Sequence, residues 1–145
     1  MMPDDNAFDR GLRTRRAVLG DAYVDAALAR ADSFGAPMQQ WTTEVCWDRI
    51  WNRPGLDRRS RSILNLGMIA ALNRPHELAA HVRAALRNGL TVAEIQEVLL
   101  QVAAYCGVPA GVDSFRIAGG IVAEWTRERE GGDPDAPPSP ADDCA

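Results

Sequence analysis

Apolar residues along this chain recur at intervals of three and four rather than at alternate positions, which is the period of helices that bury one face. The clearest stretch is Arg74 to Asn88. Pro75 suits a first helical turn, where its missing N–H is no loss, and Gly89 suits the position just past the end. Between them Leu78, Val82 and Ala85 fall at i, i+4 and i+7 and mark one buried stripe. Thr91 and Glu94 then have the spacing of a capping box. From there Val92, Ile95, Val98 or Leu99, and Val102 carry a second stripe to Cys106. After a Gly107-Val108-Pro109 turn, a last helix is predicted over Ala110 to Arg127, where Gly111, Gly119 and Gly120 suggest tight packing.

The N-terminal half reads the same way. Helices are predicted over Phe8 to Leu19 and over Ala22 to Ala31, the second capped by Asp21. A loop at Ser33 to Pro37 leads to a third helix, Met38 to Trp51, with Trp41, Val45 and Ile50 or Trp51 as core or subunit interface. Asn52 to Gly55 is a turn, and Asp57 is placed to cap a fourth helix. That helix starts with Arg58, Arg59 and Arg61, and its body is apolar nearly all round. Such a helix is buried on several sides, which in a small domain points to a subunit interface, and Gly67 marks a close helix crossing. The fold expected is all-α, with six or seven helices in one domain over residues 1–130. Residues 131–145, rich in proline, glycine and acid, read as a disordered tail.

Composition narrows the chemistry. No run approaches the eighteen or so apolar residues of a membrane span, and the first ten residues lack a signal-peptide pattern, so a cytoplasmic protein is expected. A net charge of −4 does not suggest nucleic acid as a partner. All 16 positive residues are Arg, with no Lys, which excludes Lys Schiff-base chemistry and a Lys-anchored pyridoxal cofactor. Cys46, Cys106 and Cys144 are far apart and make no zinc pattern with two histidines; Cys46 and Cys106 read as buried small residues. No metal and no cofactor are expected.

Both histidines, His76 and His81, lie in the Arg74–Asn88 helix, and Glu77 stands one turn before His81. A carboxylate beside an imidazole on a mostly apolar helix suits proton handling, and also occurs as a plain structural pair. Glu44 and Trp47 share a face and form either one wall of a pocket or an exposed acid beside a packed ring. Arg15 and Arg16 lie beside the Gly20 break, where they hold an anionic group or stay solvated.

Several stretches together resemble the carboxymuconolactone decarboxylase family. They are R-R-A-V-L-G-D-A-Y-V, W-D-R-I-W-N-R-P-G-L-D-R-R-S-R-S, H-E-L-A-A-H-V-R-A-A-L-R-N-G-L-T-V-A-E-I-Q-E-V-L-L-Q and Y-C-G-V-P-A-G, in order from about Phe8 to Trp125. The redox branch of that family, the AhpD-like alkylhydroperoxidases, carries C-x-x-C followed four residues later by His. Aligned on His81, Arg74 and Glu77 stand where the two cysteines would be, so a hydroperoxide-reducing reading loses its nucleophile. Asp48 stands where the family usually has Gly, and Cys106 and Gly111 where it usually has Ala.

The resemblance implies an AhpD-like helical bundle that assembles as a homo-oligomer, trimer or hexamer, and a small carboxylated lactone as substrate. It implies decarboxylation of 4-carboxymuconolactone to the β-ketoadipate enol-lactone in protocatechuate catabolism. Loss of CO2 would push its electron pair through a double bond into the lactone carbonyl, so the substrate is its own electron sink. On this reading His81 is proton donor or partner of the lactone oxygen, with Glu77 fixing its tautomer and raising its pKa. Glu44 is a second acid/base, Arg15, Arg16 and Arg83 are carboxylate clamps, and Trp47 is an apolar wall. Two other readings use the same fold: a relative acting on another lactone or a polyketide-like acid, by decarboxylation or dehydration, and a non-enzymatic oligomeric scaffold.

Overall fold

The computed structural model describes residues 5–131, which form helices and connecting turns with no strand among them. The expected tail therefore lies outside the described residues, apart from Gly131. Backbone packing divides the chain into two compact units, Met1–Arg58 and Arg59–Ala145.

In the first unit, Asn6 opens α1 (Ala7–Leu19) by accepting a hydrogen bond from the Asp9 N–H at 3.0 Å. Gly20, at φ 88°, both ends α1 and precedes α2 (Asp21–Arg30). A single residue thus joins the two helices, a conformation open to glycine. Asp21 is consequently not the expected cap but the first residue of α2, and it pairs with Arg16 at 3.5 Å.

The single regular helix expected over Met38 to Trp51 is two different helices end to end. α3 (Ala36–Trp41) runs straight into a π-helix over Thr42–Ile50, whose wider winding shows at its exit, where Trp51 N–H donates to the Cys46 carbonyl five residues back at 2.9 Å. The inward face is therefore only partly the one predicted at α-helical spacing: of Ile50 and Trp51, it is Trp51 that turns in. Thr43, Trp47 and Trp51 are buried, while Trp41 and Ile50 are about half exposed. The rings of Trp47 and Trp51 stack with centroids 5.0 Å apart.

α1 lies directly on this π-helix. Arg10 grips Asp48 through two hydrogen bonds of 3.1 and 2.9 Å, and the Thr14 hydroxyl donates to Asn52 Oδ1 at 2.8 Å. Between them the backbones touch: a Cβ added to Gly11 would fall 1.9 Å from the Thr43 carbonyl oxygen.

The second unit contains α4 (Arg58–Ala71), α5 (Pro75–Arg87), α6 (Val92–Cys106) and α7 (Val108–Glu130). Here the apolar spacing was a sound guide. Leu78, Val82 and Ala85 of α5 pack with Ile95, Leu99 and Val102 of α6, Leu66 and Ala70 of α4 and Ala118 of α7. The Thr91–Glu94 capping box forms with both reciprocal hydrogen bonds, at 2.9 and 3.1 Å, and Glu94 also pairs with Arg59. Val92 departs from the predicted stripe; it lies in the first turn and is 40% exposed. The predicted three-residue turn reduces to Gly107 at φ 104°, because Pro109 is accommodated in the first turn of α7.

Close packing is confirmed at one of the three α7 glycines. A Cβ on Gly111 would lie 2.4 Å from Ala103 Cβ, whereas at Gly119, Gly120 and also Gly67 it would meet nothing within 4 Å. α4 buries Ser62, Leu66 and Ala70 but leaves Leu64, Met68 and Leu72, each four residues apart, on an exposed stripe. No described helix is long and apolar enough to cross a membrane.

Candidate active site

The candidate residues fall in both units. In the second, α5 carries Glu77 in its exposed first turn and His81 one turn further in, half-buried. Burial pushes the His81 pKa below its ordinary value, and the negative charge of Glu77 opposes this without overcoming it. The expected effect of Glu77 is thus present, but the net direction is the reverse of the one anticipated. The imidazole is accordingly neutral near neutral pH, with one ring N–H to donate and one nitrogen to accept. His76, on the exposed first turn, is not brought to His81's environment.

Arg83 leaves α5 toward α7. It donates to both carboxylate oxygens of Glu128 at 2.6 and 2.9 Å and to Glu124 at 3.4 Å, and its guanidinium lies 5.8 Å from the centre of the Trp125 ring. Arg129 approaches the same ring at 5.6 Å. With two carboxylates and an aromatic face engaged, Arg83 joins α5 to α7.

In the first unit, the π-helix presents Glu44 to a surface groove of roughly 730 Å3. Gln39, Gln40 and Asn6 give this groove polar lining, and Phe8 and Leu28 an apolar side. Gln40 Nε2 donates to Glu44 Oε1 at 3.0 Å. Arg15 is 5% exposed and donates through Nη1 to Gln39 Oε1, on the groove lining, at 2.9 Å and to Thr43 Oγ1 at 3.3 Å. Arg16 pairs with Asp25 at 2.6 Å and Asp21 at 3.5 Å. Trp47 is buried in its stack with Trp51.

Sequence reasoning missed Gly11, Gln39 and Thr43, which surround the turn that bears Glu44. The one available signal was a glycine in the middle of α1, where it weakens the helix unless another backbone comes close. The three family departures also find places. The pKa of Asp48 is lowered from its ordinary value by its hydrogen bonds to Arg10. Gly111 makes room for Ala103, and Cys106 is exposed rather than buried, since it ends α6. Cys46 is half-buried, and burial pushes its thiol pKa up, away from thiolate chemistry. Among the described residues no three His, Cys, Asp or Glu side chains come together as a metal-ligand set.

Comparison with known proteins gives the family. Residues 36–119, which include Glu44, Glu77 and His81, match the model of the carboxymuconolactone decarboxylase family. Nitrosuccinic acid decarboxylase of Metarhizium robertsii is 44% identical over 108 residues, covering 74% of this chain and 76% of that protein. The 4-carboxymuconolactone decarboxylase of Acinetobacter baylyi is 34% identical over 117 residues, covering 81% and 87% respectively. A protein of the same description from Pseudomonas putida is 40% identical over 48 residues, which is 32% of this chain and all of that sequence. By its all-helical fold and by these matches, the chain belongs to the carboxymuconolactone decarboxylase family.

Proposed function

We propose that this carboxy-lyase acts on a small dicarboxylate that carries its own electron acceptor, without help from a cofactor. The observation that carries the reading is the similarity to two decarboxylases whose named substrates share that arrangement. In nitrosuccinate the carboxylate leaves a carbon that bears a nitro group; the C–C bond breaks, and its electron pair passes to the nitro oxygens as a nitronate. In 4-carboxymuconolactone the pair passes through the double bond to the lactone oxygen as a dienolate. In both, negative charge gathers on an oxygen and a carbon then takes a proton.

A neutral, half-buried His81 suits the first demand, because its N–H is a donor in a low-dielectric setting where charge develops. Glu77 is assigned to hold the imidazole in one tautomer, and Glu44, on its groove, to serve as the second acid/base. Arg16 and Arg83 serve as carboxylate clamps only by exchanging the carboxylates they now hold, while Arg15 acts through Gln39. Trp47 backs the π-helix from the interior.

Nitrosuccinate is the first substrate by the higher identity, and 4-carboxymuconolactone the second by the longer coverage of its relative. The reading includes assembly with further copies of the chain, as trimer or hexamer, which the exposed Leu64–Met68–Leu72 stripe supports.

The test is CO2 release from each compound by the wild type and by His81→Ala. The variant is expected to lose about 10²- to 10⁴-fold in kcat, the range of a positioned proton-handling side chain. If the neutral ring donates, wild-type kcat also falls as pH drops through the depressed His81 pKa; a rise instead would make the imidazolium the donor. No release from either compound by folded wild type would remove both substrate assignments.

A further inference from the structure

We propose that Gly11, Arg15 and Thr43 are positioning residues for Glu44, holding the π-helical turn from which its carboxylate projects. This inference rests on the reading that Glu44 serves the reaction as an acid/base.

A π-helix is the rarer winding, mostly a single turn and frequently at functional sites, so nine consecutive residues of it need a local cause. Two causes meet at Thr43, the fully buried neighbour of Glu44. The first is a hydrogen bond. The Thr43 hydroxyl donates to the Gln39 carbonyl at 2.8 Å, the same bond to the fourth residue back that Ser114 and Thr126 make within the regular α7, so at Thr43 it acts together with a tie to α1. The same hydroxyl oxygen accepts from Arg15 Nη1, which also holds the Gln39 side chain. A buried cation thus ties the start of the π-helix to α1 through two neutral oxygens.

The second cause is steric. The Thr43 carbonyl points at Gly11, where a Cβ would lie 1.9 Å from the oxygen, 2.8 Å from the carbonyl carbon and 3.2 Å from Asp48 N. Those atoms all belong to the backbone of the π-helix, which cannot give way as a flexible side-chain end would. A glycine at residue 11 is therefore a condition of the close packing of α1 on that winding. Rewinding the segment as an α-helix would turn Glu44 about the helix axis relative to Phe8 and Leu28 across its groove, while Gln40, four residues before it, would stay within reach.

The experiment measures kcat and KM for CO2 release, from nitrosuccinate or 4-carboxymuconolactone, in Thr43→Val, Thr43→Ser, Glu44→Gln and the Thr43→Val/Glu44→Gln double variant. Removing the hydroxyl at constant shape is expected to lower kcat about tenfold or more with KM little changed, as for a displaced group acting in the transition state. Thr43→Ser, which keeps the hydroxyl, is expected to restore most of kcat. Once Glu44 is Gln, Thr43→Val is expected to add no further loss, because both changes act through one carboxylate.

A folded Thr43→Val protein with wild-type kcat, beside an inactive Glu44→Gln, overturns the positioning role and leaves the reading of Glu44 intact. Additive losses in the double variant overturn it likewise, by assigning Thr43 a separate effect. A fully active Glu44→Gln removes the reading of Glu44 and the inference with it. If Thr43→Val does not fold, Arg15→Lys carries the same test, since it keeps the charge but changes the reach and geometry of the Nη1 group that donates to both oxygens.

Discussion

The two units carry their candidate residues on helices of different kinds. In the second unit, α5 is a regular helix with a buried stripe of Leu78, Val82 and Ala85, and His81 takes its place by ordinary 3.6-residue winding. Side-chain packing holds it, and His81's pKa is lowered because burial outweighs the opposing charge of Glu77. In the first unit, Glu44 sits on a π-helix held by a buried Arg–Thr–Gln hydrogen-bond set and a backbone-to-backbone contact at Gly11. A helix placed by hydrophobic burial tolerates adjustment of its neighbours. A helix placed by the absence of one Cβ does not.

The largest expected stability effect breaks the packing side of that contrast. Leu78→Ala, at a side chain only 2% exposed, should lower the stability of the full chain by about 2–5 kcal/mol in a denaturant titration. A loss under about 1 kcal/mol would mean that α5 is not held by its stripe.

Gly11→Ala tests the other side, and its sign is the informative part. Alanine is the better helix former by about 1 kcal/mol, so a glycine with open space around it would gain stability from the change. With the Thr43 carbonyl in the way, overpacking is expected to win and to cost about 1–3 kcal/mol net, read from the same titration. A stabilised variant would show that the two backbones are not in contact.

The smallest effect is the pH dependence from His81. Its pKa is lower folded than unfolded, so the unfolded chain binds more protons in the interval between the two values. Its contribution is therefore complete above the unfolded value of about 6.5 and is lost as pH falls through the lowered folded value. His81→Gln should flatten that part of the stability-against-pH curve. An unchanged slope would place the imidazole in water rather than in the interior.

Local signals settled much about this protein before any tertiary structure was considered. The all-α class, the limits of α5 and α6, the Thr91–Glu94 capping box and most of the second unit's core follow from spacing, caps and glycines that act within a few residues. The placement of Glu77 one turn before His81 was legible for the same reason. Family membership was legible because motifs such as H-E-L-A-A-H persist in the chain itself.

Tertiary structure decided what depends on residues far apart. The Thr42–Ile50 segment winds as a π-helix packed on α1, some thirty residues earlier; of the residues α-helical spacing offered as core or interface, Trp51 is buried and Trp41 and Ile50 are half exposed, while Thr43 and Trp47 are buried. Arg83 read as a free clamp because Glu124 and Glu128 lie on another helix. The net shift at His81 could not be read from its neighbour Glu77, since it is a balance between a nearby charge and the depth of burial, and only the folded chain sets that depth.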